Sequence, residues 1–155
     1  EDESLDVISP KRIKIDKSLV EDPLTVDIFE NSLVVFDDID VISDKKIREE
    51  VYKILNQILE TGRHYKVSCV ITNHLPTAGK DTRRVLNECH SITYFPHSGS
   101  KRGINYLLEE YIGMDKEDIK KIKKMKSRWC VVFKNYPQIA MTEKNIWILA
   151  DDEDD

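Results

Sequence analysis

The sequence predicts an α/β fold with a mainly parallel core sheet and an antiparallel extension of strands at its C-terminal end. Short apolar runs at 33–36, 67–72 and 91–95 alternate with segments of helical periodicity, and this alternation is typical of βαβ units. Three later apolar runs are joined by connectors too short for a helix, so they are expected to pair antiparallel.

The first 61 residues are expected to contain two strands and the clearest helix. The alternation of apolar and polar residues at 24–29 predicts a short, half-exposed strand. The run 33–36 is apolar on both faces, which suits a central strand of a parallel sheet. Residues 44–61 place their apolar side chains on one helical face, and Ser43 or Asp44 can cap the start of this helix.

The chain after residue 61 is expected to combine further strands with shorter helices. The segment 115–126 has acids in its first turn and lysines later, as the helix dipole favours. Helices are predicted at about 81–89, 103–111 and 115–126, and strands at 67–72, 91–95, 129–134, 138–141 and 146–149.

The composition indicates one globular domain with neither a membrane partner nor secretion. The chain has 155 residues, of which 40% are hydrophobic and 34% charged, and this length is enough to bury a core. No stretch approaches the roughly 18 apolar residues of a membrane-spanning helix, and no signal-peptide pattern is present. The three cysteines are widely spaced and odd in number, so we expect reduced thiols in a cytosol-like compartment.

The net charge of −5 hides an uneven distribution of charge along the chain. Lysines cluster on the predicted helix face at 116–126, which is either a solvated face or a surface that contacts DNA phosphates. The loop 97–103 carries Lys101 and Arg102 among glycines at the end of a strand. This loop is the better candidate for a DNA-contacting pore loop.

Asp37 and Asp38 follow directly after the apolar run 33–36. In open α/β sheets, ligands bind at the carboxyl ends of the strands, and Mg²⁺ takes one or two carboxylates together with phosphate oxygens. A second acid can polarise a water for attack on a γ-phosphate. The pattern is that of a Walker B element, although apolar runs ending in acids also occur at ordinary strand–turn junctions.

Two further residues extend this pattern. Asn73 follows the strand at 67–72, where an amide can orient the attacking water, or can simply end the strand. Arg63 follows the predicted helix end at Gly62 and is a candidate arginine finger, whose guanidinium would neutralise transition-state charge in a neighbouring subunit. Its alternative role is a helix cap or a surface charge.

The order of these motifs resembles that of viral genome-packaging ATPases of the FtsK/HerA type, found in large double-stranded DNA viruses of the poxvirus and giant-virus kind. The likeness covers about 30–149, most of the chain. The segments that carry it are 34–40, 62–65, 70–75, 82–88, 94–96 and 135–139.

The resemblance implies a RecA-like P-loop NTPase core, ATP and Mg²⁺ as cofactors, and a homo-oligomeric ring that pumps double-stranded DNA into a capsid through portal components. It places Asp37 on Mg²⁺ and Asp38 in the position of the catalytic acid, which is commonly a Glu in such motors. Asn73 takes the position of the sensor amide and Arg63 that of the finger. Arg83 or Arg84 is the alternative arginine finger.

The phosphate-binding loop of such ATPases is missing from the sequence. No G-x-x-x-x-G-K-[ST] motif occurs, and Gly79-Lys80-Asp81-Thr82 is rejected because Asp81 would repel phosphate. We therefore expect the C-terminal part of a packaging ATPase that binds ATP poorly by itself. The alternatives are a non-catalytic module for assembly or DNA binding, and another P-loop ATPase such as a helicase.

The chain is expected to divide into three segments. Residues 1–23 form an irregular, polar lead-in, residues 24–149 form the C-terminal part of the ATPase domain, and residues 150–155 form an acidic, disordered tail. The expected location is the host cytoplasm, in a viral factory, or the virion.

Overall fold

A computed structural model describes residues 7–74, 80–98 and 100–149. Residues 75–79 and the acidic tail lie outside these residues. Short 3₁₀ turns flank β1 and join α2 to β2, and a π-helical turn, Leu107–Ile112, continues α4. The described residues contain the helices α1 (Ser18–Glu21), α2 (Lys45–Thr61), α3 (Lys80–Glu88), α4 (Lys101–Tyr106) and α5 (Lys116–Lys123), and the strands β1 (Leu33–Phe36), β2 (Ser68–Ile71), β3 (Ser91–Tyr94), β4 (Cys130–Phe133), β5 (Gln138–Met141) and β6 (Ile146–Leu149).

The prediction of a mainly parallel, RecA-like core is wrong. Among the described residues, β1 and β2 form a two-stranded parallel sheet, while β3, β4, β5 and β6 form a separate antiparallel sheet in that order. The decisive strand is β3, which pairs antiparallel with β4 so that Tyr94 lies opposite Cys130. Ser91 and Thr93 are exposed whereas Ile92 is buried, and burial of one face is typical of antiparallel sheets.

Two local predictions in the first half are also wrong. The segment 24–29 contains a 3₁₀ turn, Val26–Phe29, in place of a strand, and Phe29 is its buried residue. The strand β1 is not buried on both faces, because Leu33 is 64% exposed and Val35 is 59% exposed. The apolar run therefore predicted the strand correctly but not the exposure of its side chains.

The chain divides between residues 74 and 75 into two compact units. In the first unit, α2 connects the parallel strands β1 and β2, as predicted for a βαβ element. The helix begins after Asp44, whose carboxylate accepts hydrogen bonds from the amides of Lys46 and Ile47 at 2.9 and 3.2 Å. Its buried stripe confirms the predicted helical face and comprises Ile47, Val51, Ile54, Leu55 and Ile58.

The second unit is an antiparallel sheet with helices packed on one face. The three closing strands are confirmed as antiparallel neighbours. Alternate residues of the strands share the covered face, where Val132 lies opposite both Ile92 and Ala140. The buried helical residues that complete this core are Leu86, Leu107, Leu108, Ile112, Ile119 and Ile122.

Two side chains of the sheet hold helix ends in this second unit. The ammonium of Lys134 donates to the carbonyl oxygens of Leu86 and Asn87, at 2.8 and 3.0 Å, at the C-terminal end of α3. The amide of Gln138 donates to the carbonyl of Ile112 at 2.8 Å, where the π-helical turn ends. Both contacts satisfy carbonyl groups that a helix end leaves without an intrahelical donor.

Replacing Lys134 by methionine tests the contact between the sheet and α3. Methionine keeps the aliphatic stem but removes the ammonium donor from two carbonyls, so we expect the free energy of unfolding to fall by about 1 kcal/mol. Urea unfolding followed by circular dichroism measures the change. Lys123→Met is the matched control, since Lys123 is exposed on α5, and equal stability of the two variants would contradict the capping role.

Candidate functional site

Polar residues follow both strands of the parallel sheet at the same end. Asp37 and Asp38 come directly after β1, and Thr72 comes directly after β2. Phe36 pairs with Ile71 in the register of the two strands, and the amide of Thr72 donates to the carbonyl of Phe36 at 2.9 Å. The carboxyl ends of the two strands therefore form one polar edge.

The hydroxyl of Thr72 joins the two acids at this edge. It donates a hydrogen bond of 2.5 Å to Oδ1 of Asp37 and accepts one of 3.1 Å from the backbone amide of Asp38. Both acids therefore depend on one side chain of the neighbouring strand.

His74 makes a second connection between the two strand ends. Its Nε2 atom lies 3.0 Å from Oδ1 of Asp38, which is an ion pair when the imidazole is protonated. Its backbone amide donates to Oδ2 of Asp40 at 3.3 Å. Oδ1 of Asp40 is buried without a hydrogen-bond partner among the described residues.

Asp37 and Asp38 are the predicted acids at this edge, whereas the contacts of Thr72 and His74 with them were not predicted. Asn73 was predicted instead, and this residue is half-buried between the two that contact the acids. The signal that identifies Thr72 is the strand register, because the residue after β2 lies opposite the residue after β1.

The backbone of Asp38 has the left-handed conformation, with φ of 50° and ψ of 35°. Aspartate and asparagine tolerate this region better than other residues with a side chain, since their short polar groups bond locally. The conformation turns the chain sharply out of β1 into the 3₁₀ turn Ile39–Val41. Two acids adjacent in sequence consequently bond different side chains, Thr72 and His74.

The side chains at this edge do not form a complete metal site among the described residues. Asp37 is exposed, and Thr72 contacts its Oδ1 atom. Within residues 7–74, 80–98 and 100–149, no group of three or more His, Cys, Asp or Glu side chains is placed to hold a metal ion. Mg²⁺ is commonly bound by one or two carboxylates together with substrate phosphates, so Asp37 is a suitable ligand for it.

Arg63 lies at the other end of the parallel sheet from the acids. It belongs to the 3₁₀ turn Gly62–Tyr65, which precedes β2, and the carbonyl of Tyr65 accepts from the amide of Asn31 just before β1 at 3.0 Å. The four residues of β2 span about 13 Å at 3.3 Å per residue. The structure does not bring Arg63 to the acids of its own chain.

The remaining basic candidates lie in the second unit. Arg83 and Arg84 are exposed on α3. Burial raises the pKa of the Tyr111 phenol, and the nearby charge of Arg83 opposes this rise. Lys101 and Arg102 are exposed in the first turn of α4, so the predicted pore loop at 97–103 is partly helical, and Gly99 lies outside the described residues.

The basic face of α5 is exposed. Lysines 116, 120, 121 and 123 are exposed along this helix, while Ile119 and Ile122 are buried beneath it. Asp118 forms an ion pair of 2.8 Å with Lys121. The remaining lysines give a positive surface on the opposite side from the core.

One comparison links the chain to a virus. The chain is 45% identical over 133 residues to "Uncharacterized protein V3" of Sputnik virophage, and this similarity covers 84% of the chain and 54% of the relative. The chain thus spans about half the length of the relative it matches. No protein-family model and no solved structure matches the chain.

The helices of the described residues include none that is both long and apolar enough to cross a membrane. The cysteines 69, 89 and 130 form no disulfide. Burial raises the pKa of the thiols of Cys69 and Cys130, which lowers the fraction of reactive thiolate at neutral pH.

The left-handed conformation of Asp38 predicts how substitutions there change stability. Asp38→Val should lower the free energy of unfolding by about 1–2 kcal/mol relative to Asp38→Asn, because a β-branched residue is disfavoured at positive φ. Urea unfolding of both variants measures the difference, and Asp38→Gly separates conformation from side-chain contacts. Identical unfolding curves for the valine and asparagine variants would mean that this turn is absent.

Proposed function

We propose that this chain contributes the cation-binding and water-activating carboxylates of an ATP-driven machine that moves double-stranded DNA into a viral capsid. The observation that carries the proposal is the pair Asp37 and Asp38 at the carboxyl edge of a parallel strand pair, held by Thr72. The similarity to a virophage protein supports a viral setting. The proposal rests on this edge and does not need a larger parallel sheet.

Each acid has a separate role in this proposal. Asp37 would hold Mg²⁺, which supplies positive charge to the phosphates of ATP. Asp38 accepts the proton of the attacking water, and its contact with His74 must open for the carboxylate to face that water. Asn73, next to these contacts, orients the water through its amide.

The position of Arg63 supports action between subunits. Its guanidinium is exposed and lies beyond the opposite end of β2 from the acids. It therefore serves as the arginine finger of a neighbouring copy in a homo-oligomeric ring. Arg83 and Arg84 on α3 are the alternative fingers.

DNA contact is assigned to the exposed cations of the second unit. The lysines of α5 present positive charge beyond the acidic first turn of that helix. Lys101 and Arg102 lie in the first turn of α4, which contains no acidic residue. Such a surface binds phosphates without reading bases. The remaining partners in this proposal are capsid portal components, and the location is the viral factory in the host cytoplasm or the virion.

A second candidate function is a non-catalytic module that assembles with partners or binds DNA. The observation that favours it is the lack of a G-x-x-x-x-G-K-[ST] loop in the 155 residues. Without the backbone amides and lysine of that loop, the phosphates of ATP have no cradle in this chain.

Binding of Mn²⁺, a paramagnetic substitute for Mg²⁺, tests the role of Asp37 in the chain itself. Asp37→Asn should weaken Mn²⁺ binding by at least about tenfold, because an amide oxygen lacks the charge of the carboxylate. Titration followed by electron paramagnetic resonance measures the affinity. Asp27→Asn is the matched control, as Asp27 is an exposed acid of the same unit, and equal affinities of both variants would exclude Asp37 as a ligand.

Hydrolysis of ATP by the full-length gene product, with and without double-stranded DNA, tests the role of Asp38. Asp38→Asn should lower the DNA-stimulated rate about 100-fold, which is the lower range for loss of a general base, while DNA binding stays intact. Asp27→Asn should hydrolyse ATP at the normal rate. An unchanged rate in Asp38→Asn would refute the catalytic assignment, and a protein that binds DNA but hydrolyses no ATP would favour the second candidate.

A further inference from the structure

We propose that the acidic segment 151–155 docks on the lysine face of α5 in the same chain and competes there with DNA. The segment reads Asp-Asp-Glu-Asp-Asp and begins two residues after Leu149, the last residue of β6. It lies outside the described residues, whereas the helix face is described. The docking stands on charge and placement, and the competition rests on the proposed function, which assigns the same lysines to DNA.

The docking surface is a row of exposed lysines on α5. Lys116, Lys120 and Lys124 follow one another at intervals of four residues and are all exposed, so they lie along one side of the helix. Ile119 and Ile122 are buried on the other side. Among the described residues, no acidic side chain forms an ion pair with these three lysines, so the row presents its charge outward.

Charge complementarity identifies the occupant of this row. The segment 151–155 has five acids and no basic residue, and the exposed Lys126 and Arg128 continue the positive charge beyond the helix. One exposed ion pair contributes little and is screened by salt. Several pairs made by one tethered segment act together, because the tether raises its local concentration to about the millimolar range.

The register of the antiparallel sheet brings the segment close to α5. Leu149 of β6 pairs with Gln138 of β5, and the side chain of Gln138 donates to the carbonyl of Ile112 at 2.8 Å. Because α5 begins four residues later at Lys116, the chain leaves β6 beside the segment that leads into this helix. The six residues 150–155 span at most about 20 Å, while the helix is about 12 Å long, so the acids can extend along the row.

The docked segment would restrict which polyanions reach the helix face. Carboxylates and phosphates compete for the same ammonium groups, and double-stranded DNA carries one negative charge per about 1.7 Å of its axis. Its charge density exceeds that of the segment, so DNA displaces the segment, whereas short or weakly charged polyanions do not.

Nuclear magnetic resonance of the 155-residue chain measures the docking. We expect the amide signals of Lys120 and Lys124 to shift when the acids of the segment become amides, and this difference to vanish at about 0.5 M salt, where charges are screened. The amide variant carries Asp151→Asn, Asp152→Asn, Glu153→Gln, Asp154→Asn and Asp155→Asn. The matched control variant removes five acids of the first unit instead and carries Glu1→Gln, Asp2→Asn, Glu3→Gln, Asp6→Asn and Asp27→Asn.

Affinity for double-stranded DNA measures the competition. The amide variant should bind DNA about fivefold more tightly than the control variant, because its lysines are no longer occupied by a tethered competitor. Fluorescence anisotropy of labelled DNA measures both affinities. The two variants have the same net charge, so a difference between them reports the position of the removed acids.

The outcomes separate the docking from the proposed function. Identical α5 signals in the amide variant and the unaltered chain would overturn the docking, whatever the DNA affinity. Shifted signals with equal DNA affinities would overturn the competition. Shifted signals in a chain that binds no DNA would support the docking and remove DNA contact from the proposed function.

Two further measurements complete the test. A shift of the α5 signals that fades on dilution would place the segment on a second copy and overturn docking within one chain. Should the amide variant not fold, as judged by circular dichroism, a variant with Lys120→Gln and Lys124→Gln replaces it. Shifted amide signals of residues 151–155 in that variant would support the docking, and unchanged signals would overturn it.

Discussion

The parallel pairing of β1 with β2 is the constraint on which the candidate site depends. Its register places Phe36 opposite Ile71. The residue that follows each strand, Asp37 after β1 and Thr72 after β2, therefore also lies beside the other. Side chains of a strand alternate between faces, and a shift of one residue would therefore turn Thr72 away from both acids. The two hydrogen bonds of the Thr72 hydroxyl depend on this register.

The support for this pairing is one-sided. The apolar stripe of α2 and the buried side chain of Phe36 belong to the core of the first unit, while Leu33, Val35 and Val70 remain exposed. The site is thus held by a short ladder whose strands keep several apolar side chains exposed. Hydrogen bonds beyond the strand ends, from Thr72 to Phe36 and from Asn31 to Tyr65, extend the pairing at both ends.

The sequence predicted most helices and strands, although it mistook the 3₁₀ turn Val26–Phe29 for part of a strand, and it was insufficient for strand partners. The apolar residues of α2 recur with a clear period of 3.6. The position of Asp37 after an apolar run can be read directly from the sequence. The partner of β3 is not visible, because pairing with β4 is a contact between residues about 40 positions apart. The RecA-like interpretation failed at this point. Thr72 was likewise hidden, since its role follows from register and not from residue type.

The place of Arg63 defines what an assembly must look like if the proposed function is correct. Each chain has its acids at one end of the β1–β2 pair and Arg63 beyond the other. A two-fold interface in which the two sheets run in opposite directions brings the arginine end of each copy to the acidic end of the other, so it forms two such sites at once. A head-to-tail interface instead brings the arginine end of one copy to the acidic end of the next, and such interfaces close into rings when the rotation permits. The polarity of one short parallel sheet therefore requires that the arginine end of one copy meets the acidic end of another, and the head-to-tail form of this contact is the one that builds a ring.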